Sequence, residues 1–134
     1  MTNSQIIRNI YDAFARGDAA AVLATFDPQI RWMEAENFSY ADGNPYIGPQ
    51  RVAEGVFGRL MAEWDGFTID VQRIVDGGDT VVSLGRYRAA HKTTGQRVDA
   101  QFAHAWDLRD GKVVSFQQYT DTLQFARAAG APAA

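Results

Sequence analysis

Read for the spacing of its apolar residues, the chain has a helical first half and a strand-rich second half. In "SQIIRNIYDAFARGD", Ile6, Ile7, Ile10, Tyr11 and Phe14 recur at helical spacing and form one buried stripe. Asn3 or Ser4 can cap this helix and Gly17 can close it. Asp18 caps a short second helix, "AAAVLATF", which Asp27-Pro28 ends because proline excludes helical geometry from the residue before it. "QIRWMEA" reads as a strand. The loop "ENFSYADGNPYIGPQ" follows, long enough to suggest a lid or binding loop. Pro49 suits the first turn of a third helix, whose stripe is Val52, Val56, Phe57, Leu60 and Trp64. Gly55 and Gly58 inside that helix each cost about 1 kcal/mol against alanine. Close packing on a neighbouring element is a reason to keep them.

Beyond Trp64 the period changes to two. "GFTIDVQRIV", "TVVSLGRYRAA", "RVDAQFAHAWDLR" and "KVVSFQQYTD" alternate, separated by "DGGD", "HKTTGQ" and the hairpin signal Asp110-Gly111. A last short helix, "TLQFARAA", and a disordered tail over 130–134 are expected, leaving 1–129 as a single domain. Three helices, one strand placed among them and a four-strand meander indicate an α+β domain with helices on one face of a curved sheet.

Composition narrows the function classes. The 134 residues are 46% apolar and 12% aromatic, enough for one sizeable core. A net charge of −3 without a Lys/Arg block argues against nucleic acid. There is no cysteine, and His91 and His104 are the two histidines, so no metal site is expected. The N-terminus lacks the pattern of a signal peptide, and no apolar run approaches membrane-spanning length. The expectation is a soluble, cytoplasmic protein with no membrane partner.

The segments "YDAFARGDAAAVLATFDPQIRWMEA", "YIGPQRVAEGVF" and "FAHAWDLRDGKVVSFQQYTDTLQF" resemble the nuclear transport factor 2-like superfamily. That group includes ketosteroid isomerase, limonene epoxide hydrolase and the SnoaL-like polyketide cyclases, and the last two segments are similar to the SnoaL-like branch. The resemblance spans nearly the whole chain. It implies a cone-shaped, curved, mixed sheet wrapped by three helices, a cystatin-like α+β roll with a deep apolar pocket. It also implies a homodimer formed through the convex sheet face, to which Val114, Phe116 and Ala105 would belong.

Glu34 shares a strand face with Ile30 and Trp32. It is either a solvated acid at the strand end or a pocket carboxylate with a raised pKa. The resemblance places the general base of ketosteroid isomerase at this strand end. Asp121 reads as a helix cap, with Gln124 three residues on. A segment similar to Tyr119-Thr120-Asp121 also carries an active-site aspartate in limonene epoxide hydrolase. That enzyme's further Arg-x-Asp pair falls on Gly85 and Tyr87, so epoxide hydrolysis is disfavoured. The position of the isomerase's oxyanion tyrosine falls on Ile10, with Tyr11 offset by one residue.

A two-residue turn at Asp110-Gly111 sets Arg109 opposite Lys112. Carried along the strands, that register sets His104 opposite Gln117, Phe102 opposite Tyr119 and Trp106 opposite Ser115. All of these, with Asp121, would then face the pocket unless a bulge intervenes. The expected catalytic set is Glu34, His104, Asp121 and Tyr119. The expected ligand contacts are Trp32, Tyr40, Tyr46, Phe57, Tyr87, Phe102, Trp106 and Gln117. The function expected is acid–base proton transfer, without a cofactor, on a small apolar carbonyl compound, giving isomerisation or aldol-type cyclisation. A non-catalytic carrier of a small lipophilic molecule and a dimerisation domain are the alternatives.

Overall fold

The computed structural model describes residues 1–130. The tail expected over 130–134 lies, Gly130 apart, outside the described residues. Helix α1 (Asn3–Ala15) is capped by Thr2, one residue earlier than Asn3 and two earlier than Ser4. The reason is a reciprocal box: Thr2 Oγ1 accepts from Gln5 N–H at 3.2 Å, and Gln5 Oε1 accepts from Thr2 N–H at 2.8 Å. Asp18 caps α2 (Ala19–Leu23) by accepting from Ala21 N–H.

Strand β1 (Phe26–Met33) begins three residues before the expected Gln29. Pro28 is tolerated inside it because no residue between Phe26 and Arg31 pairs with a neighbouring strand, so its missing N–H breaks no ladder bond. The long loop holds a 3₁₀ turn (Ser39–Gly43) and a two-residue strand, β2 (Tyr46–Ile47), that the period did not reveal. The third helical segment is α3 (Pro49–Val52), a π-helical turn (Ala53–Phe57) and α4 (Gly58–Glu63). Gly55 lies in the π turn, where an added Cβ would meet the Tyr46 ring at 2.1 Å. Close approach of that ring is the reason for the glycine.

The remaining strands are β3 (Trp64–Gly77), β4 (Thr80–His91), β5 (Arg97–Arg109) and β6 (Lys112–Thr120), followed by α5 (Thr122–Ala128). The sheet order is β2-β1-β6-β5-β4-β3. Among the described residues only β1 and β6 run parallel, so the sheet is mixed. Curvature enters at irregularities in β3, one between Asp65 and Thr68 and one between Val71 and Arg73. Gly85 sits opposite the second, where a Cβ would fall 1.9 Å from Asp70 O.

The register of β5 against β6 departs from the simple hairpin. Arg109 pairs with Lys112 and Leu108 with Val113, as the Asp110-Gly111 turn requires. Asp107 then pairs with Ser115, so Val114 is an extra residue on β6. From there on His104 faces Gln118, Phe102 faces Thr120 and Trp106 faces Phe116. The bulge reverses the parity of β6. Phe116 and Gln118 become buried, while Tyr119 is 58% exposed. Phe116 therefore belongs to the core, not to an outer dimer face, and its ring stacks on Trp32 at 3.7 Å. Among the described residues no helix is long and apolar enough to cross a membrane.

Candidate active site

Among the described residues the buried polar side chains are Glu34, Ser83, His104 and Gln118. Burying such groups without partners costs several kcal/mol, so their arrangement is informative. Glu34, His104 and Gln118 line one pocket with about 50 Å³ of free space, walled elsewhere mainly by aromatic and aliphatic side chains.

Glu34 follows the last residue of β1 and keeps the face of Ile30 and Trp32. The Asn44 side chain holds its backbone from both sides, accepting from Glu34 N–H at 2.9 Å and donating to Glu34 O at 2.8 Å. The carboxylate accepts from Trp32 Nε1 at 3.0 Å. Burial pushes its pKa up to about 7, against the lowering effects of the indole and of Arg59. A carboxyl so placed exchanges its proton near neutral pH, as a general base must.

His104 lies on β5 between two tyrosines. Tyr11, from α1, meets Nδ1 at 2.5 Å, and Tyr87, from β4, meets Nε2. Burial lowers the imidazole pKa to about 3, so the ring is neutral and has one N–H and one acceptor nitrogen. One phenol must therefore donate to it and the other must accept. Tyr11 also contacts Ser83 Oγ and accepts from Trp106 Nε1 at 3.1 Å. Tyr87 accepts from Gln118 Nε2 at 3.1 Å.

Counting protons leaves one donor over. With the proton on Nδ1, Tyr87 donates to Nε2, Tyr11 donates to Ser83, and the Ser83 proton is spare. With the proton on Nε2, Ser83 donates to Tyr11, Tyr11 donates to Nδ1, and the Tyr87 proton is spare. An acceptor oxygen arriving in the cavity selects the second arrangement. Burial raises Tyr87 well above the usual phenol range, so it acts as a donor and stays neutral.

The geometry separates the residues expected from sequence. Glu34, His104, Trp32, Phe57, Tyr87 and Trp106 all line the cavity. Asp121 does not: it is exposed and caps α5 by accepting from Gln124 N–H at 3.3 Å. Tyr119 and Gln117 fall on the other face because of the Val114 bulge, and Gln118 takes the inward position. Tyr40 and Tyr46 are buried outside the cavity wall. Tyr40 donates to Glu63 Oε1 at 2.7 Å, and Tyr46 donates to Tyr40 O at 2.7 Å. Phe102 stacks on His104 and Tyr87 from behind, with centroids 4.2 and 4.6 Å away. Tyr11, set aside by its one-residue offset, lines the cavity together with Ile10. Ser83 and Gln118 carried no motif; only the inward parity of β4 and a correctly placed bulge could have pointed to them. No group of three or more potential metal ligands occurs among the described residues.

The model of the SnoaL-like domain matches residues 7–116. A nuclear transport factor 2-like protein from Burkholderia thailandensis is 39% identical, with a TM-score of 0.92 over 96% of this chain and 98% of its own. A nuclear transport factor 2-like protein of unknown function from Burkholderia pseudomallei is 27% identical, with a TM-score of 0.88 over 98% and 100%. A candidate SnoaL-like polyketide cyclase from a Jannaschia species shares the fold at 21% identity, with a TM-score of 0.80 over 96% and 92%. No curated protein matches the chain significantly.

Proposed function

The chain belongs to the SnoaL-like domain family of the nuclear transport factor 2-like superfamily, and on that footing we propose that it is an acid–base enzyme acting on a small, mostly apolar carbonyl compound. One observation carries the reading. A buried carboxyl that titrates near neutrality and a phenol whose proton is freed when His104 carries its own on Nε2 line the same apolar cavity.

The chemistry follows from those two groups. The substrate carbonyl oxygen accepts from Tyr87, which draws the His104 network into the arrangement with the proton on Nε2. The Glu34 carboxylate removes a proton from the carbon next to the carbonyl. The C–H electron pair becomes the enolate, whose negative oxygen is held by the Tyr87 O–H. Where a C=C bond adjoins that carbon the product is a dienolate, and return of the proton from Glu34 to its far carbon shifts the double bond and completes an isomerisation. Attack of the enolate carbon on a second carbonyl of the same molecule moves that carbonyl's π pair onto its oxygen, which takes the proton held by Glu34 and completes an aldol-type cyclisation. Both routes conserve atoms and electrons using only positioned acids and bases, and neither requires a cofactor.

The test is deuterium uptake from heavy water into the α-positions of a panel of cyclic and acyclic enones. Wild type accelerates uptake. Glu34→Gln lowers the rate by about 100-fold or more, and Tyr87→Phe by about 10- to 100-fold. Rates unchanged by either substitution overturn the proposal. A second reading, carriage without chemistry, is favoured by the predominance of apolar side chains around the cavity. A carrier would release its ligand without deuterium in it.

A further inference from the structure

The cavity around Glu34 and Tyr87 measures about 50 Å³. Water alone needs roughly 10–15 Å³ on this kind of measure, and pockets for drug-sized ligands run to about 300–1,000 Å³. The chamber thus admits a carbonyl group and few further atoms. A substrate reacting there must keep the rest of its body elsewhere.

A second, roomier cleft of about 440 Å³ adjoins it. The two spaces share four wall residues: Phe14, Phe57, Leu60 and Phe67. Phe14 packs edge-on against both Phe57 and Phe67, with centroids 5.9 and 6.2 Å away. These half-buried rings form a partition between chamber and cleft, and edge-on aromatic contacts are weak enough for the rings to turn aside. Beyond the partition the cleft is walled by Ala15, Ala19, Met61 and Trp64. Asp65 and Lys92 line it as well. Lys92 is occupied in donating to Met61 O at 2.7 Å, and the two charges are of opposite sign, so the cleft offers no net attraction to an ion.

We infer that the cleft is the second half of the substrate site: it receives an uncharged hydrocarbon tail, attached to a carbonyl head that reaches past the three phenylalanines to Tyr87. The inference rests on the acid–base reading for the position of the head. Continuity of the walls and the mismatch of the two volumes fix the position of the tail. The substrate class is then a long-tailed ketone or acyl compound, and a compact ring compound is disfavoured.

The experiment is calorimetric titration with unbranched methyl ketones from butanone to 2-decanone. Butanone, filling only the chamber, is the reference. Each added methylene that enters the cleft tightens binding about fourfold, the equivalent of about 0.8 kcal/mol per buried methylene. Ala19→Trp and Ala15→Trp, each at an exposed position on the cleft wall, place an indole in the cleft and flatten that gain. Circular dichroism establishes that both variants fold. Affinity that does not rise with chain length overturns the inference, as does a rise that survives both tryptophans. Failure of the acid–base reading looks different: the chain-length gain persists, while Tyr87→Phe and Glu34→Gln change neither ketone affinity nor deuterium uptake.

Discussion

Gln118 on β6 donates to the Tyr87 hydroxyl on β4 at 3.1 Å, reaching across the intervening strand β5. The same amide accepts from Ala35 N–H at 3.1 Å, just beyond Glu34. One side chain thus ties the segment carrying the carboxyl to the phenol that would face it. The contact exists because Val114 adds a residue to β6 and turns Gln118 inward.

Gln118→Leu should therefore destabilise the fold by about 1–3 kcal/mol, since it leaves the buried Ala35 N–H without its acceptor. Gln117→Leu, one residue away on the other face, should cost about 0.5 kcal/mol or less. Urea denaturation of the two variants measures the difference. Equal costs would contradict the bulged register.

Two buried groups bias stability with pH in opposite senses. The folded pKa of Glu34 is raised from 4.5 to about 7, so its contribution is full below 4.5 and is lost as pH rises through 7. The folded pKa of His104 is lowered from 6.5 to about 3, so its contribution is full above 6.5 and is lost as pH falls toward 3. Between 4.5 and 6.5 the two slopes oppose one another. Glu34→Gln should unmask stability that rises with pH across that window, and His104→Gln stability that falls. Each swing is on the order of 3 kcal/mol, measured by denaturant titration at a series of pH values.

Gly55→Ala tests the packing of the π turn. Helix propensity alone predicts a gain of about 1 kcal/mol. The new Cβ, however, would lie 2.1 Å from the Tyr46 ring, so the expected outcome is a net loss of about 1–3 kcal/mol. Thermal unfolding decides the sign, and Tyr46→Leu in the same chain should recover part of the loss by making room.

Asp121→Ala should behave as the loss of an exposed helix cap, costing about 1 kcal/mol. It should leave deuterium uptake by the enones unchanged, because the Asp121 carboxyl is exposed and held by Gln124. A large fall in rate would return Asp121 to the chemistry and contradict its outward placement.

What could be read without coordinates was whatever neighbours in the chain decide between themselves. The apolar stripe of Ile6, Ile7 and Ile10 needs only helical period, and Asp110-Gly111 needs only its own backbone to make a tight turn. The shared face of Ile30, Trp32 and Glu34 follows from strand alternation and holds to the end of β1. Even the four-strand meander is a sum of such local choices. By contrast, nothing in "KVVSFQQYTD" marks Val114 as an extra residue. Valine, serine and phenylalanine satisfy a bulged strand and a regular one equally. The tie is broken by distant partners: Phe116 gains the Trp32 face, and Gln118 gains Ala35 and Tyr87. Tyr11 is the same kind of case, since a helical period places it on the buried side but only the packing of α1 against the sheet aims its hydroxyl at His104. Alternation is a local property with a period of two, so one inserted residue inverts it. Which inversion is stable is settled by burial energy summed over residues far apart in the chain, and that sum exists only once the sheet has closed around its cavity.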